Sequence, residues 1–247
     1  MDKALYVAMT GAKQIMLAQQ AHANNLANIN TTGFKQDFAQ ARSMQVFADH
    51  PHYDTRTYAM TERPGTDFQQ GPLIQTGNKL DVALKGEGWI AVQSATGDEA
   101  YTRAGNMHVD VNGQVRTGSG LPVLGEGGPL VVPPSTTVEI GADGTVSVLA
   151  EGGVGLAQID RIKLVNPAPE NLEKRADGLV YVKEDAPAVQ VDGAIRLQSG
   201  FLEGSNVNAV SELTDILALS RQYEIQVKLM THVEQNSEAS ARLLQFS

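Results

Sequence analysis

From Ser205 to Ser247 the chain contains neither glycine nor proline, so nothing interrupts a single long helix. Within that stretch Ile216, Leu219, Tyr223, Gln226, Met230 and Val233 recur at alternating steps of three and four. That is the seam of a coiled coil. The register continues weakly through Ser237 and Ser240 to Leu244. A helix of about 38 residues would extend about 57 Å. Asn206 or Asn208 is placed to cap its start, and Glu212 falls in the first turn, where the helix dipole favours an acid.

A second seam occupies the other end. Leu5, Met9, Ala12, Met16, Gln19, Ala23 and Leu26 alternate by four and three, with Gln19 as the polar break. Thr31-Thr32-Gly33 supplies the stop, since Gly33 can take a positive φ. Among residues 1–33 only Asp2, Lys3 and Lys13 are charged. A helix facing water normally sets charged residues opposite its apolar stripe. An uncharged Gln/Asn face suits burial on several sides instead. Because an isolated helix is marginal in water, each seam needs a partner: the other terminus, a neighbouring copy, or both.

Between the seams the period changes. Asn112-Gly113 sits inside the alternating run from Met107 to Val115, and Asp143-Gly144 inside that from Val138 to Val148. Both dipeptides favour a type I′ hairpin turn. Asp177-Gly178 and Asp192-Gly193 repeat the signal before Leu179–Val182 and Ala194–Leu197. Short strands punctuated this way predict an antiparallel sandwich or barrel. The expected fold is therefore α+β. Residues 1–35 and 205–247 pair as a coiled-coil stalk, residues 36–76 form an extended connector with His50-Pro51-His52 and Arg63-Pro64-Gly65, and residues 77–204 form a β-rich outer domain. The alternative is an ordinary α+β domain with both helices packed on the sheet.

Composition removes several functions. Lys and Arg number 19 against 28 Asp and Glu, a net charge of −9. That argues against binding nucleic acid, which needs a basic stripe, and against adsorption to anionic lipid. No cysteine is present, which removes thiol catalysis, disulfides and cysteine-held zinc together. No apolar run of about 18 residues exists, so no membrane insertion is expected. Lys3 and Lys13 break up the opening segment, so no secretory h-region is expected either.

The chain lacks the P-loop, zincin and nucleophile-elbow motifs. His108-x-Asp110-x-Asn112-Gly113 resembles half of a calcium loop, but His stands where the first carboxylate belongs and Ser119 where the bidentate Glu belongs. A hairpin turn explains it. His50 and His52 flank a proline with no third ligand in view, and His22 and His232 read as helix-surface or interface residues. Gly86-Glu-Gly88 and Gly125-Glu-Gly-Gly128 carry acids that would repel phosphate. Asn30-Thr31-Thr32 fits a glycosylation sequon without a secretory signal beside it. No catalytic residue, cofactor or metal site is expected, and the chain does not read as an enzyme.

At Ala23-Asn24-Asn25-Leu26-Ala27-Asn28 and Thr31-Thr32-Gly33-Phe34-Lys35 the chain closely resembles the signature of the flagellar axial proteins, the rod, hook and hook-associated family. Leu202-Glu203-Gly204-Ser205-Asn206-Val207-Asn208 and Arg221-Gln222-Tyr223-Glu224 are similar to that family's C-terminal element. Leu80–Trp89 and Tyr101-Thr-Arg-Ala-Gly105 add matches between. Trp89, the opening Met-Asp-Lys-Ala-Leu-Tyr, the form of residues 202–208 and the short segment after Lys35 look most like the proximal-rod members.

The resemblance implies paired terminal helices and an outer β-domain. It also implies export through the flagellar type III apparatus without cleavage, and assembly with other proximal- and distal-rod subunits and with itself. The product would be a hollow shaft crossing the periplasm and transmitting torque. On that basis Leu5, Met9, Met16, Leu26, Ile216, Leu219, Tyr223, Met230 and Val233 are the expected assembly residues. A distal-rod or hook subunit, and a secreted β-domain adhesin or hydrolase with oligomerisation helices, are the alternatives.

Overall fold

The computed structural model describes residues 3–38, 41–45, 57–61, 65–150 and 155–245. The chain divides into a helical unit (Met1–Ala27, Gln36–Asp67, Val207–Ser247) and a β unit (Asn28–Lys35, Phe68–Asn206). The His50-Pro51-His52 and Arg63-Pro64 expectations lie outside the described residues.

In the helical unit, α1 spans Lys3–Ala27 and α2 spans Ala209–Gln245. They run alongside each other in opposite directions. Gln19 Nε2 donates to Ser220 Oγ at 2.8 Å, and a Cβ on Gly11 would touch the Gln226 amide at 3.5 Å. Asn208 is the cap of α2: its Oδ1 accepts from the amides of Val210 (3.0 Å) and Ser211 (3.3 Å). Asn206 does not serve as the cap.

Along α2 the half-buried positions are Ala209, Ile216, Leu219, Ser220, Tyr223, Gln226, Met230 and Val233, which include the six positions from Ile216 to Val233 read from the sequence. On α1 the register differs. Leu5, Ala8, Ala12, Ile15, Gln19, His22 and Leu26 lie inward, while Met9 and Met16 remain 53% and 57% exposed. Both series share Leu5, Ala12, Gln19 and Leu26 and both repeat every seven residues. Periodicity alone therefore cannot say on which side the intervening positions fall.

The segment expected as an extended connector carries paired strands. β1 (Asp37–Phe38) pairs antiparallel with β4 (Gly65–Thr66), and β2 (Ala41–Gln45) with β3 (Thr57–Thr61).

The β unit is antiparallel throughout its described pairs. Its centre is a five-stranded sheet ordered β16-β7-β8-β18-β17, built from β7 (Trp89–Gln93), β8 (Glu99–Thr102), β16 (Leu164–Val165), β17 (Leu172–Lys174) and β18 (Val180–Val182). Alternation along β7 sends Ile90 and Val92 into one apolar cluster, with Leu84, Val123, Ile162 and Leu197. It sends Trp89 and Ala91 into another, with Tyr101, Val165 and Val180. Both faces of this sheet are thus covered, which is why its strands read as apolar runs. Around it lie β5 (Leu73–Gln75) paired with β20 (Phe201–Glu203), and β6 (Val82–Lys85) paired with β19 (Arg196–Ser199). The hairpins β9 (Met107–Val109)–β10 (Val115–Thr117) and β11 (Leu124–Gly125)–β12 (Gly128–Pro129) follow in the chain. A three-stranded sheet of β13 (Ser135–Ile140), β14 (Thr145–Ala150) and β15 (Leu156–Arg161) completes the unit.

The turn dipeptides mark hairpins, but not the two-residue type I′ loops they favour. At Asn112-Gly113 the amide of Gly113 donates to Asp110 O (3.0 Å) and that of Asp110 to Gln114 O (2.9 Å). Three residues therefore form the loop, with Gly113 at φ +81° closing a bulge. The same pattern recurs at Gly144 and Gly178. Glycine takes the third loop position, so each hairpin gains one residue over the sequence expectation.

Candidate functional site

The described residues contain no cluster of His, Asp, Glu or Cys able to hold a metal ion, and no helix long and apolar enough to cross a membrane. The half calcium loop is consumed by its own hairpin. Asp110 Oδ1 accepts from the amides of Asn112 (2.8 Å) and Gln114 (2.9 Å), and Oδ2 from Arg116 Nε (2.9 Å). The Arg116 hydrogen bond, reinforced by those amides, holds the Asp110 carboxyl below the usual carboxylate range. Beneath the sheet, burial and then the neighbouring Glu99 push the Tyr101 hydroxyl well above its ordinary value. The Tyr101 hydroxyl donates to Glu99 Oε1 at 3.0 Å.

What the described residues do build is a pair of fully buried glutamates, one per unit. In the β unit Glu203, Lys35 and Arg103 are 0%, 2% and 3% exposed. Glu203 Oε1 accepts from Lys35 Nζ (2.6 Å) and the Gly71 amide (3.1 Å), and Oε2 from Arg103 Nη1 (2.9 Å). Lys35 Nζ also donates to Gln69 O at 2.6 Å. The Arg103 guanidinium carbon lies 5.2 Å from the centroid of the Trp89 ring, itself edge-on to Phe68. Gly33 makes this approach possible. Its φ is +69°, its amide donates to Glu203 O at 2.8 Å, and a Cβ there would fall 2.4 Å from the Arg103–Ala104 peptide. Gly33 was expected to stop the helix, but α1 ends earlier, at Ala27, and the glycine serves this close contact instead.

In the helical unit Glu212 is fully buried. Its Oε2 lies 2.7 Å from His22 Nδ1 and accepts from Asn25 Nδ2 (3.4 Å), while Oε1 accepts from Gln36 Nε2 (2.5 Å). Asn25 also pairs with the backbone of Asp37, donating to its O at 2.9 Å and accepting from its N at 3.0 Å. The neighbours Lys35 and Gln36 are thus each fixed by a glutamate from the C-terminal part of the chain, each within its own unit.

The motif residues divide accordingly. Asn25, Gly33, Phe34, Ser205 and Asn206 join these clusters or their borders: the Lys174 ammonium lies 3.9 Å from the centroid of the Phe34 ring, and the Asn206 amide donates to Phe34 O. Asn28 accepts from Thr31 in a turn, and Val207 is buried in the helical unit. Asn24, Ala27 and Glu224 are exposed, and Tyr223 and Leu26 line the helix pair. Sequence reasoning passed over Arg103 and Glu203, and took His22 for a surface or interface residue. The signal available was their place inside the motifs Tyr101–Gly105 and Leu202–Asn208.

Comparison with known proteins follows the same three pieces. The family model described as flagella basal body rod protein matches residues 5–35, the flagellar hook protein FlgE/F/G D1 domain matches 83–148, and the flagellar basal body rod FlgEFG protein C-terminal matches 198–243. Lys35, Arg103 and Glu203 come one from each. Over 100% of both chains the sequence is 39% identical to flagellar basal-body rod protein FlgF of Escherichia coli (strain K12) and 41% identical to that of Salmonella typhimurium. Flagellar basal-body rod protein FlgG of Buchnera aphidicola subsp. Schizaphis graminum is 32% identical over 98% of this chain and 100% of its own.

Proposed function

The chain belongs to the flagellar basal-body rod protein family and is a structural subunit of that rod, and from this premise we propose that it polymerises in the proximal rod through its terminal helices. The observation that carries the proposal is the outward face of those helices. Val210, Leu213 and Leu217 follow one another at helical spacing on α2 and are all exposed, Val210 to 74%. On α1 Met9 and Met16, seven residues apart, are exposed likewise. One stripe of each helix faces its intramolecular partner, and a second stripe remains for neighbours.

The helix pair works as a short coiled coil whose seam is Leu5, Ala12, Leu26, Ile216, Leu219, Tyr223, Met230 and Val233. The exposed stripes make head-to-tail lateral contacts, which generate a helical array rather than a closed dimer. Such an array, with helices innermost, forms the hollow, torque-transmitting shaft. Export by the flagellar type III apparatus without a cleaved signal delivers the subunit, and its helices firm up as they dock. Neighbouring subunits are copies of this chain and other rod proteins. The likeness to FlgG supports a second reading, a more distal layer of the same axis, and position within purified basal bodies separates the two.

Leu219→Pro tests the role. Proline in a helix interior costs about 3 kcal/mol or more, so the variant should fail to enter rods and abolish motility while the β unit stays folded. Normal motility would contradict the assignment.

A further inference from the structure

Residues 28–35 run through the β unit with a single buried side chain among them, that of Lys35. Two of the segment's ties converge on one residue. Glu203 accepts from the Gly33 amide through its backbone oxygen and from Lys35 Nζ through its carboxylate. Other ties include Lys35 Nζ to Gln69 O (2.6 Å), Lys174 Nζ to Lys35 O (2.7 Å) and the Asn206 amide to Phe34 O (3.4 Å), but only the bond to the Glu203 carboxylate joins Lys35 to a buried charge.

We propose that Lys35, Glu203 and Arg103 form a lock that seats residues 28–35 on the β unit, with Glu203 as its keystone. Two buried cations share one buried anion, so the three members are not equivalent. Removing Glu203 strands two like charges in a low-dielectric interior, the costly way to break a buried ion pair. Removing the Lys35 charge leaves the neutral pair Arg103–Glu203, and an apolar chain of similar length fills the vacated space. Arg103 depends on Glu203 closely, because its Nε has no hydrogen-bond partner among the described residues. The lock draws one residue from each of three distant chain segments, so it closes only when all three have folded together. It concerns a single molecule, and its failure would leave the rod assignment standing.

The full-length protein supplies its own reporters. Lys35 is a tryptic site whose side chain is sequestered, and Trp89, the chain's single tryptophan, lies under Arg103. In Glu203→Gln, trypsin should cut the Lys35–Gln36 bond about a hundredfold faster than in the wild type, with a changed Trp89 emission. Amide exchange in β7 and β8 should stay within about twofold of wild type. Lys35→Met should speed exchange of the amides of residues 29–34 by less than Glu203→Gln does. The proposal fails if the Lys35–Gln36 bond stays as resistant in Glu203→Gln as in the wild type. It fails too if β7 and β8 loosen as much as residues 28–35, or if Lys35→Met loosens that segment as much as Glu203→Gln.

Discussion

The β unit and the helical unit use their sequence in opposite ways. The β unit covers both faces of its central sheet, and Val82, Leu84, Ile90, Val92, Val123 and Ile162 have no measurable exposure. Among the described residues of the helical unit, only Ala8, Ala12, Asn25, Val207 and Glu212 are buried, two of them polar and two of them alanine. Its larger apolar side chains are half-buried or exposed. One unit is complete within a single chain. The other has apolar surface left over, which is expensive for a solitary protein and useful for a polymer subunit.

Four substitutions break or sharpen that contrast. Leu84→Ala should cost the β unit about 2–5 kcal/mol, since it opens a cavity in a closed core. Leu219→Ala, at a half-buried position, should cost the helical unit only about 1 kcal/mol. Thermal or denaturant unfolding read at Trp89 for the first and by helical circular dichroism for the second measures both, and equal losses would erase the distinction. Asn208→Ala removes the α2 cap and should lower helical stability by about 1 kcal/mol with no effect on the β transition. The smallest effect on the monomer is expected from Met16→Lys, within about 0.5 kcal/mol because the side chain already faces water. That same variant should impair rod incorporation and swimming strongly. If it swims normally, the second stripe of α1 has no part in assembly.

How much of this could be read from residue order depends on the kind of signal. The half-buried line of α2 from Ile216 to Val233 is legible because no glycine or proline interrupts the helix and its large side chains recur at steps of three and four. The register of α1 is not, because Ala8 and Ile15 compete with Met9 and Met16, and the smaller pair wins. Ala8 and Ala12 are buried, and a Cβ added to Gly11 would already lie 3.5 Å from the Gln226 amide of α2. Hairpin positions follow from Asn-Gly and Asp-Gly, yet loop length does not, since it depends on which loop position the glycine takes. The buried Lys35–Glu203–Arg103 cluster is the hardest to foresee. Charged residues are expected at the surface, and only the tertiary meeting of three distant segments gives each its counter-ion. His22 and Glu212 are hidden for the same reason, being separated by most of the chain.

The central claim is that the helices are finished by neighbouring subunits. Hydrogen exchange on the dilute, unassembled protein tests it most directly. Amides of α1 and α2 should exchange orders of magnitude faster than those of β7 and β8, and should become protected in assembled rods. Helices guarded as firmly as β7 in the lone subunit would contradict the account.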